Sequence, residues 1–469
     1  MRCWGRMTAA FHEQLHPHNP ATGEALAPVP LTTPAQLAEQ VAAARAAQAA
    51  WAATPLDQRA LPLQRLAARL QGDDGEALAR QLSTEMGKPL REARGEVRSA
   101  AARVALVIDQ AREACGEQHA VEGGVDITVR WRPLGVVAVI GPWNFPVSTP
   151  SSLVLSALIT GNTAVLKPSE HTPHTGANYH ALLAELLPAG VLGLAQGTGS
   201  VGAALVDSAV DMVAFTGSIA TGQAIMRAAA ATMKRLVLEL GGKDPMIVLP
   251  GADLEAAARH AAIEATRNAG QVCVAVERVL VHRDIAEAFT ARVAEIVRGL
   301  TVGDPADDRT QIGPMASPEQ RDRVLAQLAR ARAAGATLLV EGEARGPGFY
   351  LTPSVVVGVT PEMDLARDET FGPVVAIQVV ADAEDAVARA NATRYGLGAS
   401  VWGPPGPATD AIADRLQAGM VGVNRGLSAA GGAPWVGWKM SGFGFSRGVA
   451  GLRQFMQPQS RARRASDGA

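Results

Sequence analysis

The chain is short of lysine: of its 43 basic residues only Lys88, Lys167, Lys234, Lys243 and Lys439 are Lys, the rest being Arg. Where Arg is the default cation, each Lys reflects either codon usage or a particular role. Cysteine is scarcer. Cys3, Cys115 and Cys273 are too few and too scattered for a disulfide framework or a C-x-x-C metal site, which excludes a bound metal of that type and suits a reducing cytoplasm. Surplus charge is missing too. The 43 basic against 45 acidic residues leave −2, so no global field favours nucleic acid or an anionic membrane. The opening MRCWGRMTAAFHEQ has no apolar run of the length an export signal needs, and Met7 is a second candidate start. The uncharged stretch from Pro133 to Leu166 is long enough to suggest a membrane span. Its four prolines and Asn144 would leave backbone groups unpaired in lipid, so it reads as buried core around a site.

What is present is the balance of a folded protein, 48% apolar and 19% charged. A chain of 469 residues exceeds one ordinary core, so two or three domains are expected. From Thr33 to about Glu113 the Ala, Leu, Arg and Gln spacing is helical. DITVRWR (126–132) then alternates like a half-exposed strand, and VVAVI (136–140) is a β-branched run typical of a buried parallel strand. TAVLK, MVAFT and RLVLE repeat the short apolar strand, with helical segments between them. A second set follows: MIVL, VLVH, TLLV, SVVV, VVAIQVV and MVGV. This alternation implies α/β architecture in two lobes. The tail SRARRAS reads as a solvated, frayed end.

Several segments carry residue types suited to chemistry, and each leaves two readings open. GPWNFP (141–146) directly follows VVAVI, so Asn144 is either a turn residue or a donor to a developing oxyanion. FTGSIATG places Gly217 and Gly222 between a strand and a helix, where backbone can approach a phosphate, although the spacing is not G-x-G-x-x-G. ELGGKDP (239–245) sets Glu239 at a strand end, as a partly desolvated general base or as a cap. In RNAGQVC (267–273), Cys273 is a small buried hydrophobe or a nucleophile.

The order of the motifs narrows these choices. With NPATGE (19–24), EMGKP (85–89), KPSE (167–170), ETFGPV (369–374), YGLGASV (395–401) and GWKMSGFG (437–444) in sequence around the four segments above, the chain resembles the NAD(P)-dependent aldehyde dehydrogenase superfamily along essentially its whole length. Four of the five lysines fall inside these motifs. The resemblance implies two doubly wound Rossmann-like α/β domains plus a small β-strand oligomerisation arm. Residues 1–116 and 136–240 would bind NAD, 241–440 would form the catalytic domain, and 117–135 with 441–469 the arm and C-terminal segment. It implies Cys273 as nucleophile, Asn144 with the Cys273 N–H as oxyanion donors, and Glu239 as the base that activates water. It assigns Trp143, Lys167, Ser169, Glu170, Gly217, Ser218, Gly222, Glu369 and Phe371 to the cofactor. A homodimer or homotetramer is implied, with an aldehyde as substrate and no nucleic acid, membrane or metal. NAD is expected over NADP because the Glu170 carboxylate would meet a 2′-phosphate with like charge. Glu239 argues for a free acid as product, against transfer to coenzyme A. Retention of Cys273, Asn144 and Glu239 argues against a binding protein that keeps only the fold.

For the substrate, RNAGQVC is similar to succinate semialdehyde dehydrogenases, in which an Arg six residues before the nucleophile helps bind a distal carboxylate; here that is Arg267. Those relatives also tend to carry an Arg eight residues after the oxyanion Asn, where this chain has Ser152. The clamp is thus half built, with modest selectivity expected for an anionic aldehyde. Trp435 matches the aromatic wall of the substrate tunnel in relatives, which also suits an apolar aldehyde.

Overall fold

The structure, a computed structural model, describes residues 14–427 and 432–464. Cys3 and both candidate starts lie outside the described residues. Thr33 begins the first helix with a capping box: its hydroxyl accepts from the Gln36 N–H while the Gln36 amide oxygen accepts from the Thr33 N–H, and Pro34 sits at the first helical position. Four helices follow, α1 (Pro34–Ala53), α2 (Leu56–Gln71), α3 (Asp73–Met86) and α4 (Leu90–Ala114). The stripe Val97, Ala100, Val104, Val107, Ile108 and Ala111 buries α4 at helical spacing.

Two strands, β1 (Gln118–Glu122) and β2 (Val125–Pro133), precede β3 (Val136–Ile140), which is buried at every residue. The first sheet adds β4 (Thr163–Lys167), β5 (Leu192–Leu194), β6 (Met212–Thr216) and β7 (Arg235–Glu239). Helices α5 (Ser148–Ile159), α6 (Pro173–Ala184), α7 (Gly199–Asp207) and α8 (Ile219–Ala230) connect them. Its order is β5-β4-β3-β6-β7, all parallel. The order reverses beside β3, so loops after β3 and β6 diverge and leave a crevice at the carboxyl ends.

The second sheet repeats the scheme with β8 (Pro245–Val248), β9 (Arg278–His282), β10 (Thr337–Val340), β11 (Ser354–Val357), β12 (Val374–Val380), β13 (Gly398–Trp402) and β14 (Met420–Val423). Its order is β10-β11-β12-β9-β8-β13-β14, with only the β10 edge antiparallel. Helices α9 (Leu254–Thr266), α10 (Ala286–Arg298) and α11 (Pro318–Ala333) lie among these strands in the chain. Both lobes are doubly wound.

In the C-terminal segment, Gly442–Phe443 forms β15, antiparallel to β7 at the edge of the first sheet. The tail is not frayed through Arg464. Met456–Arg464 is β16, paired antiparallel with β2 over nine residues, and β2 pairs in turn with β1. Backbone pairing holds this strand although its side chains are mostly exposed, so it left no apolar signal to read.

Residues 240–244 carry the chain from one sheet to the other, and a buried charge pair fixes the crossing. Lys243 Nζ donates to Glu277 at 2.6 Å and to the Thr370 hydroxyl at 3.0 Å, with the two charged side chains 0% and 5% exposed. Breaking such a pair from one side leaves a stranded charge and costs about 3–5 kcal/mol. Lys243→Ala is therefore expected to lower the unfolding temperature sharply. Adding Glu277→Gln should recover part of the loss, since Gln needs no counter-ion and still accepts from backbone amides; thermal unfolding of both variants checks this.

Candidate active site

A cleft of about 720 Å³ is lined by residues from both lobes. It collects the loops after β3, β4, β6 and β7 and, from the second lobe, the Cys273 segment, the start of α11 and the turn around Glu369. Asn144, Glu239 and Cys273 all line it, as do Trp143, Lys167, Ser169, Glu170, Gly217, Ser218, Glu369, Phe371, Arg267 and Trp435. Gly222 and Ser152 do not. Gly222 is buried under Leu240, where a Cβ would come within 2.7 Å of a Leu240 methyl, so its smallness serves packing. Ser152 faces a small cavity behind the cleft.

Asn144 owes its position to a buried Lys. Lys88 Nζ donates to the Asn144 carbonyl at 2.9 Å and to Glu96 at 2.5 Å, above the Phe145 ring. Glu96 in turn accepts from the Val147 and Ser148 N–H groups at the start of α5. The Asn144 amide donates to the Gln271 carbonyl at 3.0 Å, which leaves its second N–H for the cleft.

The Cys273 segment is strained. Asn268, Ala269 and Gly270 have φ of 53°, 54° and 72°, and left-handed conformation costs a non-glycine residue about 1–2 kcal/mol. The Asn268 amide donates to the Asn144 and Gln271 carbonyls, and buried Gln271 donates back to Asn268 and accepts from Ala316 N–H. Gly270 has no alternative. A Cβ there would lie 2.0 Å from the Gly372 carbonyl oxygen.

Glu239, the last residue of β7, accepts from the Ser446 and Thr216 hydroxyls. Ser446 reaches it from a two-stranded ladder in which Trp435 pairs with Ser446. Arg267 faces the cleft, yet its guanidinium already donates to Glu264 at 3.1 and 3.2 Å. As a free carboxylate clamp it is weaker than its position in the sequence implied.

The other end of the cleft can be tested against a dinucleotide. Lys167 Nζ spends two of its three donors on the Pro168 carbonyl and on Glu170, at 3.0 and 3.2 Å, and one remains toward the cleft. Burial is the largest single influence on Glu170 and opposes its charge, but Lys167, a backbone hydrogen bond and His171 together hold the carboxyl below its ordinary range. Ser218 caps α8, accepting from Thr221 N–H, so the first turn of α8 offers free N–H groups. Trp143 and Phe371 meet edge to face at 5.4 Å. These residues fit a nicotinamide dinucleotide. Among the described residues no cluster of His, Cys, Asp and Glu could hold a metal, and no helix is long and apolar enough to cross a membrane.

With this geometry in place, comparison with known proteins decides the family: the model described as "Aldehyde dehydrogenase family" matches residues 7–460. The chain belongs to the aldehyde dehydrogenase family. A betaine aldehyde dehydrogenase of Cereibacter sphaeroides is 39% identical over 445 residues, covering 94% of this chain and 92% of the relative. A Mycolicibacterium smegmatis protein, whose name is an unproven assignment as succinate-semialdehyde dehydrogenase (NADP(+)), is 38% identical over 94% of this chain and 86% of its own. Among solved structures, an NAD-dependent aldehyde dehydrogenase from Sinorhizobium meliloti superposes with a TM-score of 0.93 at 36% identity, covering 98% of this chain and 93% of that one.

Motif reading of this aldehyde dehydrogenase missed Ser446, Gln271, Arg103 and Arg447, all of which lie at or directly behind the cleft. Arg103 could have been noticed as a cation amid the apolar helical stretch AAARVALV. The others carry no sequence signal of their own.

Electrostatics at the nucleophile are unfavourable to a thiolate. Burial, then the nearby carboxyl groups of Asp244, Glu239 and Glu369, push the Cys273 thiol up to about 12, with Arg447 pulling the other way. Thiolate therefore forms only as pH rises. In a variant with Cys3 and Cys115 replaced by Ser, the rate of Cys273 alkylation by iodoacetamide in the cofactor-free protein is expected to climb about tenfold per pH unit from 7 to 10 without a plateau. Peptide mass spectrometry at each pH checks this, and a plateau below pH 9 would contradict it.

Proposed function

We propose that the protein oxidises an aldehyde to the free carboxylic acid through a thioester on Cys273, with NAD preferred as hydride acceptor. The observation that carries this reading is the meeting of Cys273, Asn144 and Glu239 in one cleft whose far end holds the Lys167–Glu170 pair. Cys273 sulfur adds to the aldehyde carbon, and the thiol proton passes toward the carboxylates facing the cleft. The second Asn144 N–H and the Cys273 N–H hold the oxyanion that forms. Hydride acceptance is the chemistry that nicotinamide supplies when bound. Collapse of the oxyanion expels the hydride and leaves a thioester. Glu239 then takes a proton from water as it attacks the thioester carbon, and release of the acid returns the thiol.

Glu239 is free for this role because Thr216 and Ser446 orient it through hydroxyls rather than a cation. Its carboxylate also favours hydrolysis over transfer to coenzyme A. The β1-β2-β16 sheet supports assembly as a homodimer or homotetramer: β1 is an exposed outer strand, and Val121 on it is 72% exposed. The free thiols Cys115 and Cys273 suit a reducing cytoplasm. The relatives' names point to two substrates of opposite charge, betaine aldehyde and succinate semialdehyde.

Glu239→Gln is expected to slow deacylation more than hydride transfer. Stopped-flow absorbance should show an NADH burst of about one equivalent per site and then slow turnover; loss of the burst itself would place Glu239 earlier in the sequence of steps.

The cofactor preference rests on Glu170 at the half-exposed rim of the cleft, where a screened repulsion of about 1 kcal/mol is expected. Glu170→Ser should shift the ratio of kcat/KM for NAD over NADP about fivefold toward NADP. Steady-state kinetics with both cofactors on the parent and the variant measure it.

A further inference from the structure

Two arginines outside the assigned machinery stand together behind the reacting residues. Arg103 comes from α4 and Arg447 from the residue after Ser446, and both line the cleft. Both also line the small cavity behind it, with Ser152, Ser156 and Gln110. The Nε of each guanidinium is buried without a hydrogen-bond partner, and so is the Ser152 hydroxyl. Among the described residues neither arginine forms an ion pair with a carboxylate. The carboxylate that acts on both, Glu239, already accepts from Ser446 and Thr216.

Arg447 is held rather than loose. Its backbone has φ 64° and ψ 162°, a conformation that disfavours any residue but glycine, and its guanidinium lies 4.4 Å over the Trp435 ring. Trp435 is thus less an apolar wall than the platform of a cation. Two like charges placed side by side in a desolvated pocket oppose each other, and burial followed by Arg447 holds the Arg103 guanidinium down to about 10. An anion between them would relieve that repulsion and take the unused donors.

The geometry points to an anion subsite formed by Arg103 and Arg447, so that the substrate is an aldehyde bearing a distal carboxylate. This rests on the reading of the cleft as an aldehyde-oxidising site. It replaces the half-built clamp: the cation absent at Ser152 enters the same cavity from two other elements. Arg447 is close enough to Cys273 and Glu239 to act on the charges of both, which sets a short aliphatic spacer between the carboxylate and the reacting carbon. A quaternary ammonium group would meet two like charges in the same place.

The test compares kcat/KM for succinate and glutarate semialdehydes with those for butanal and pentanal of equal carbon count, and with betaine aldehyde, using NAD throughout. The parent should favour the better semialdehyde over its neutral counterpart about ten- to hundredfold and should rank betaine aldehyde below butanal. Arg103→Gln and Arg447→Gln should each lower the semialdehyde-to-neutral ratio about tenfold and raise the betaine aldehyde-to-butanal ratio, while Arg447→Lys should keep part of the preference. NADH fluorescence titration reports whether each variant retains its fold, and where a Gln variant does not, the parent's ratios and the Lys variant decide. A parent ratio at or below one, preference for betaine aldehyde over butanal, or ratios unmoved in both folded Gln variants would overturn the subsite. Failure of the parent to oxidise any neutral or charged aldehyde would overturn the proposed function instead.

Discussion

The cleft depends on two buried Lys–Glu pairs, one in each lobe. Lys88 and Glu96, each 1% exposed, tie the loop after β3 to the α3–α4 turn. Lys243 and Glu277 tie the crossing between the sheets to the turn at Thr370 and Phe371, whose N–H groups Glu277 accepts. The first pair sets Asn144; the second sets the Glu369–Phe371 wall facing it. Each ion is compensated by hydrogen bonds as well as by its partner, the condition under which a buried pair can persist. An ammonium suits both places because it reaches acceptors on different sides from one point, whereas a guanidinium presents a planar fork. This is a physical reason for Lys in a chain whose default cation is Arg.

These pairs also explain how a strained nucleophile segment is maintained. Asn268 and Ala269 hold left-handed conformations that unfavourable local energetics would otherwise reverse. Asn268 donates to the same Asn144 carbonyl that accepts from Lys88, so the strain in one lobe is braced by the charge pair of the other. The oxyanion donor and the nucleophile are therefore positioned by one connected network rather than by two independent loops.

What could be read in the sequence follows from how local each signal is. VVAVI, TAVLK and MVAFT are continuous β-branched or apolar runs because parallel strands covered on both faces need them, and the structure has a strand at each. The strand Met456–Arg464 was illegible for the opposite reason: it is polar, exposed and held by backbone pairing. Cys273, Asn144 and Glu239 sit in motifs and were legible as a set. Arg267 was legible too, but its Glu264 partner, three residues earlier in the chain, became evident only from side-chain geometry. Arg103 and Arg447 come from segments 344 positions apart in number, and nothing short of tertiary structure brings them to one cavity.

The charges in the cleft form a single problem with a consistent solution. Cys273 faces carboxyl groups that resist its ionisation, and burial opposes the charge on two of them. Burial drives Asp244 far above the carboxylate range, and burial with Glu277 pushes Glu369 up to about 8. Burial thus opposes charge on both, while Glu239 is held by the Thr216 and Ser446 hydroxyls. Arg447 and Arg103 supply the cationic charge at this end of the cleft. Arg447, which pulls the Cys273 thiol down against burial and these carboxyl groups, thus serves attack by sulfur and acceptance of an anionic aldehyde alike.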